Sequence, residues 1–281
     1  GIGGAISLAG AAAITPGADV TVITNDTRAA IDDGALVQAE RDITVTASAQ
    51  EDFLSIAAGV GGAGTVGIGV AAGVLVMNNT TSARIGDDPG RSLDDVDATG
   101  PGDGTNTDST GLTGAVAKAG GNVLVAAKDT TETLTVAGSL GVGLGAAGIG
   151  GAAGVMVVTK DTQAYVGQHA VVEARGTGGA LTGVLDGTNA DDADDAGATV
   201  FGTDPAFRGV AVQAQSAEDL FVIGASAGGG LYVGLAGGVT VEVVDSDTSA
   251  WIGAHAEVSA ENGHRDASVS VAAANDFSVF C

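Results

Sequence analysis

The stretch Leu54–Met77 reads LSIAAGVGGAGTVGIGVAAGVLVM, and how it is read decides the fold. It carries no charge, is built mainly from Gly, Ala and Val, and places glycines on alternate positions, as in Gly67-Ile68-Gly69-Val70. A period of two is the pattern of a strand. A helix of this composition would lose about 1 kcal/mol at each interior glycine relative to alanine. Alternation leaves the strand one aliphatic face and one face without side chains. Glycine inside an isolated strand is unfavourable, so its repetition predicts backbone packed on backbone, in a stack where each layer buries the bare face of the next.

The run recurs as Leu134–Val158 and Leu220–Val241, and its second half is read at Gly1–Val22. Each run leads into a Thr-Ala element. Asp26-Thr27-Arg28-Ala29-Ala30-Ile31 aligns with Thr80-Thr81-Ser82-Ala83-Arg84-Ile85, Asp161-Thr162-Gln163-Ala164-Tyr165-Val166 and Asp247-Thr248-Ser249-Ala250-Trp251-Ile252. Further on, Gly34–Ala39 aligns without a gap with His169–Ala174 and His255–Ala260. A V-x-V-x-A strand then recurs at Ile43/Val45/Ala47, Val123/Val125/Ala127, Val210/Val212/Ala214 and, more loosely, Ala267/Val269/Val271. An acidic residue precedes each Gly-rich run, at Asp52, Glu132, Asp219 and Asp276.

Thr27 and Thr81 lie 54 residues apart, whereas Thr81 to Thr162 is 81 and Thr162 to Thr248 is 86. The excess falls in two polar, Asp- and Gly-rich segments without hydrophobic period, 87–120 and 176–208, read as loops at one fixed corner of the module. The chain therefore divides into a partial module at 1–50, a module at 51–131 with its insertion at 87–120, a module at 132–218 with its insertion at 176–208, a module at 219–275, and the start of a further one at 276–281. It reads as a mature fragment or as a window on a longer array. The fold class predicted is all-β, a repetitive β-solenoid of stacked layers with Gly-rich strands and two long acidic loop insertions.

Composition narrows the function. With 34 acidic against 10 basic residues and a formal charge of −24, no cluster exists to neutralise phosphates, which argues against nucleic acid. An anionic membrane would repel such a chain. The single cysteine, Cys281, rules out an internal disulfide and a Cys/His metal cluster. The uncharged interval Phe53–Ala83 is long enough for a membrane helix. It lacks Leu/Phe-rich stretches, flanking Lys/Arg and aromatic belts, so no insertion into a lipid bilayer is expected.

Glycine spacings that match a dinucleotide fingerprint, such as Gly59-x-Gly61-x-x-Gly64, arise by chance among 48 glycines and lack a βαβ setting. No enzyme is expected. His169 and His255 occupy the position of Gly34 and read as turn residues, while Lys118, Lys128 and Lys160 are too scattered to hold a uronate. Asn25-Asp26-Thr27 and Asn78-Asn79-Thr80-Thr81 contain glycosylation sequons but read better as a stacked Asn/Thr ladder.

The insertions share a phrase, Asp103-Gly104-Thr105-Asn106-Thr107-Asp108 and Asp186-Gly187-Thr188-Asn189-Ala190-Asp191-Asp192, the second followed by Asp194 and Asp195. Alternating carboxylate and amide oxygens in a Gly-bent loop suit a hard cation such as calcium, which takes six to eight oxygens at about 2.3–2.6 Å. Candidate metal ligands are Asp103, Asp108, Asp186, Asp191, Asp192, Asp194 and Asp195; simple loop solvation is the other reading.

The phrases Val74–Gly86 (VLVMNNTTSARIG) and Asp52–Gly61 (DFLSIAAGVG) resemble the repeats of very large bacterial filamentous adhesins of the leukotoxin and filamentous-haemagglutinin type. The resemblance spans nearly the whole chain except the insertions. It implies an extracellular segment at the bacterial cell surface, used in attachment, cell–cell contact or matrix-fibre formation. The implied partners are further copies or coils joined head to tail, and cell-surface glycans or proteins. Two other readings stay open: a polysaccharide-active β-helix enzyme, and a glycine-zipper membrane module.

Overall fold

The computed structural model describes residues 1–86, 114–190, 200–260 and 263–280. Within them the chain is all-β and winds through successive coils. The first coil holds β1 (Ile2–Ala9), β2 (Ala12–Ile31) and β3 (Leu36–Ala39). The second holds β4 (Ile43–Ala63), β5 (Val66–Ile85) and β6 (Val116–Ala119), and the third β7 (Val123–Gly143), β8 (Ala147–Val166) and β9 (Val171–Ala174). A hairpin follows, β10 (Val184–Ala190) and β11 (Val200–Asp204). The fourth coil holds β12 (Gly209–Gly230), β13 (Val233–Ile252) and β14 (Glu257–Ser259), and β15 (Ser268–Phe280) begins another. Stacking the coils gives three parallel sheets, β1-β4-β7-β12-β15, β2-β5-β8-β13 and β3-β6-β9-β14. This is a β-solenoid of strands far longer than usual, each long sheet pairing almost every residue with its equivalent one coil away.

The register aligns the Thr-Ala elements as the sequence predicts: Thr27, Thr81, Thr162 and Thr248 form one row, and Ala29, Ala83, Ala164 and Ala250 another. Elsewhere it corrects the reading. Ile2 pairs with Ile56 and Val22 with Val76, so Gly1–Val22 covers both arms of the Gly-rich run and not its second half alone. Leu134 pairs with Phe221, one residue beyond the expected start at Leu220. The last V-x-V-x-A copy is Val269/Val271/Ala273, and Ser278, not Asp276, continues the row of Asp52, Glu132 and Asp219.

The two insertions leave different corners. The stretch 87–120, read as loop throughout, ends in β6, whose Val116 pairs with Leu36 and Val171. Gly114–Ala119 is thus the missing copy of Gly34–Ala39. The four residues of β6, set between Gly114 and Gly120, are too short a run for a hydrophobic period to declare itself. The first insertion therefore sits between β5 and β6, and the second between β9 and β12. The second is also not all loop, because β10 and β11 pair antiparallel within it.

In cross-section each coil is a wedge. At its broad end all three sheets enclose an aliphatic core that includes Val45, Ile85, Val123, Val125, Val166, Val172 and Val212. A smaller core of Leu75, Met77, Met156, Val158, Leu220 and Val222 lies between the two long sheets. Towards the edge these sheets close to backbone contact. A methyl group on Gly141 would lie 1.9 Å from the Ile149 carbonyl oxygen, and one on Gly61 or Gly228 would lie 2.2 Å from that of Ile68 or 2.0 Å from that of Leu235. The bare faces meet across a coil, sheet against sheet. They are not buried by the next layer, because along the stack the strands are joined edge to edge by hydrogen bonds. The turns at this edge repeat their bonds coil by coil: Thr65 N–H donates to Ala11, Ala146 to Thr65 and Tyr232 to Ala146.

Candidate functional site

The second insertion builds a shaped feature on the outer surface. Val184, Phe207 and Ala211 bury together with Leu124 and Leu181, fixing the β10–β11 hairpin over the outer face of the first sheet. Gln213 Oε1 accepts the Leu185 N–H at 3.0 Å while its Nε2 donates to the Gly183 carbonyl at 3.0 Å. Arg208 donates to the carbonyls of Gly176 and Gly178. Asn122, fully buried, joins consecutive coils to the insertion. Its Nδ2 donates to Asp42 Oδ1 at 3.0 Å and to the Gly179 carbonyl at 2.8 Å, and its Oδ1 accepts the Gly209 N–H at 2.9 Å.

Between hairpin and sheet lies a cleft of about 530 Å³, lined by Thr46, Ser48, Lys128, Leu185, Phe201 and Gln215 among others. Hydroxyls, amides and one ammonium around an apolar floor can fix a hydroxyl-bearing ligand by shape and hydrogen bonds. Little in the sequence marks this place, since its lining comes from three coils and from a segment read as loop.

The three lysines go to three environments. Lys118 pairs with Glu173 at 2.9 Å on the third sheet, Lys128 lines the cleft, and Lys160 points inward with no exposed surface. Lys160 Nζ lies 2.7 Å from Asp129 and 3.0 Å from Glu218, each equally buried. Thr81 donates to Asp129 at 2.9 Å, Ser216 and Ser246 donate to Glu218, and Asn25 donates to Glu51 at 2.6 Å. The result is a polar seam running through the stack, between the broad aliphatic core and the smaller one. It holds more carboxylates than cations. Burial, then the negative charge of Asp129, push the Glu51 carboxyl above the ordinary glutamate range against the pull of Asn25 and Lys160. The signal for this seam was present in the alignment, where Lys160 stands in the row of Asn25, Asn79 and Ser246. Asn79 is buried in the same row, so the Asn/Thr ladder reading accounts for this sequon.

Of the candidate calcium ligands, only Asp186 lies within the described residues; Asp103, Asp108, Asp191, Asp192, Asp194 and Asp195 lie outside them. Asp186 Oδ1 accepts the Thr188 hydroxyl at 2.7 Å and the Thr188 N–H at 2.8 Å. These bonds hold its carboxyl below the usual range. The carboxylate is exposed at the bulge of β10 between Leu185 and Asn189. Among the described residues no three His, Cys, Asp or Glu side chains gather as metal ligands would.

His169 and His255 adopt φ of 56° and 59° where Gly34 has 76°, and their rings stack with centroids 5.1 Å apart. They turn the corner between the second and third sheets. Tyr165 and Trp251, at 4.6 Å, make a similar stack four residues earlier, near the end of the second sheet. No protein-family model, curated protein or solved structure matches this chain. None of the described residues forms a helix long and apolar enough to cross a membrane.

Proposed function

We propose that the chain is a structural and adhesive segment of a secreted bacterial surface filament or giant adhesin, acting outside the cell in attachment, cell–cell contact or matrix-fibre formation. The observation that carries this reading is the unbroken parallel register of the stack, in which equivalent strands of successive coils pair side by side. Such a stack can be extended by any coil of the same register. A further coil, from the same chain or from another copy, would continue all three sheets head to tail, a heterologous contact that propagates. The hairpin cleft, displayed on one side of the rod, is where a surface glycan or protein would be met, and calcium is the ion suited to the Asp-rich phrases of the insertions.

Sedimentation and electron microscopy of the 281-residue chain over a range of concentrations test the assembly. Rods that lengthen by about 20 Å per added chain, four coils at roughly 4.8 Å each, are expected. A folded monomer at every concentration overturns the head-to-tail reading.

A further inference from the structure

Glycines fill the inner faces of the wedge edge, so the aliphatic residues of the same strands point outward. Ile56, Val136 and Ile223 form one such row on the first sheet, and Val74, Val155 and Val241 one on the second. From the edge turns back to the row of Asp52, Glu132 and Asp219 on one face, and to that of Asn78, Thr159 and Asp245 on the other, no charged side chain points outward. The band covers the eleven residues Val66–Val76 on the second sheet, about 35 Å at ~3.3 Å per residue. Four strands at ~4.8 Å make each face roughly 700 Å², more than the largest apolar patch of a typical soluble monomer.

We propose that this glycine-packed edge inserts into an uncharged phospholipid bilayer as far as its polar rim. Four observations favour lipid over a second copy of the chain. The apolar surface covers both faces and the turns between them, whereas a dimer needs one face. The polar rim stands at the same height on both faces, about twelve residues from the turn, and the band matches a hydrocarbon core of about 30 Å. The strands are hydrogen-bonded within the sheets, and the turn N–H groups of Thr65, Ala146 and Tyr232 bond to the neighbouring coil, so in the interior of the stack these donors need no water. Phe221 and Phe280, stacked at 4.7 Å beside the acidic row, sit where aromatic side chains meet a headgroup layer. The acidic rim sets the choice of lipid, since anionic headgroups would repel it. The proposal departs from the expectation drawn from the sequence, which rested on the criteria for a membrane helix. A stack of strands satisfies its interior backbone in a different way, by hydrogen bonds from coil to coil.

Flotation of the full chain with phosphatidylcholine vesicles is the test. The wild type is expected to float, and to float less with vesicles containing phosphatidylserine. Val241→Asp and Val74→Asp are each expected to lower the floating fraction by roughly tenfold, as charge on a lipid-facing strand does, with the β circular-dichroism signal unchanged. Gln50→Asp, outward on the broad end, is expected to float like the wild type. Should the Asp variants fail to fold, Val241→Trp keeps the test open: brominated lipid is expected to quench its added fluorescence. Wild type left at the bottom of the gradient, absence of quenching, or an equal loss with Gln50→Asp overturns the proposal. So do lipid-free bundles that Val74→Asp disperses, which would show that the faces cover one another.

Discussion

Gly141→Ala places one methyl group between the two long sheets where they run closest. The added Cβ would stand 1.9 Å from the Ile149 carbonyl oxygen, 2.5 Å from its carbon and 2.7 Å from its nitrogen. All three are backbone atoms held in sheet hydrogen bonds, so no side-chain rotation can relieve the contact. Reaching ordinary contact at 3.4 Å means parting the sheets by about 1.5 Å, which propagates to the coils above and below because Gly61 and Gly228 share the row. Overpacking of this kind costs about 3 kcal/mol, at the upper end of the usual range. Gly138 lies three residues away on the same strand, on the outer face, with nothing within 4 Å of its would-be Cβ. Gly138→Ala is expected to be neutral or to stabilise by roughly 0.4–1 kcal/mol through the unfolded chain. Urea unfolding of both variants, read as the shift in midpoint at unchanged slope, makes the comparison. A Gly141→Ala midpoint no lower than that of Gly138→Ala would refute the backbone-to-backbone packing of the wedge edge.

Lys160→Met leaves Asp129 and Glu218 buried without their cation and is expected to destabilise by about 3–5 kcal/mol in the same assay. Glu51, whose folded pKa is raised by burial and by Asp129, binds more protons in the folded than in the unfolded chain. Its contribution to stability is therefore present below the ordinary glutamate value of 4.5 and lost as pH rises from there through the folded value. Glu51→Gln is expected to flatten stability across that window, measured by urea titration at stepped pH. Asn122→Ala strands the Gly209 N–H and frees the Gly179 carbonyl, at about 1–3 kcal/mol. Limited proteolysis is expected to cut between 176 and 208 faster, with unchanged cutting at the wedge edge.

The sequence by itself determined the strand class, the stacking and much of the register. Period two along a strand and recurrence between strands are both properties of the chain, and a parallel stack places equivalents side by side, as Thr27, Thr81, Thr162 and Thr248 show. Where equivalence was weak, at β6 or at the V-x-V-x-A copy of β15, the alignment slipped, and only hydrogen-bond register could correct it. Tertiary structure alone decided what the bare faces meet. Alternating glycines say that something must approach closely, but whether that is the next layer or the opposite sheet depends on where the coil turns back. The same turn puts Lys160 inside, between carboxylates from two other strands, and puts the aliphatic residues outside. A strand pattern has two faces and no label for which is inward; the wedge assigns it, because only the glycine face lets two backbones touch.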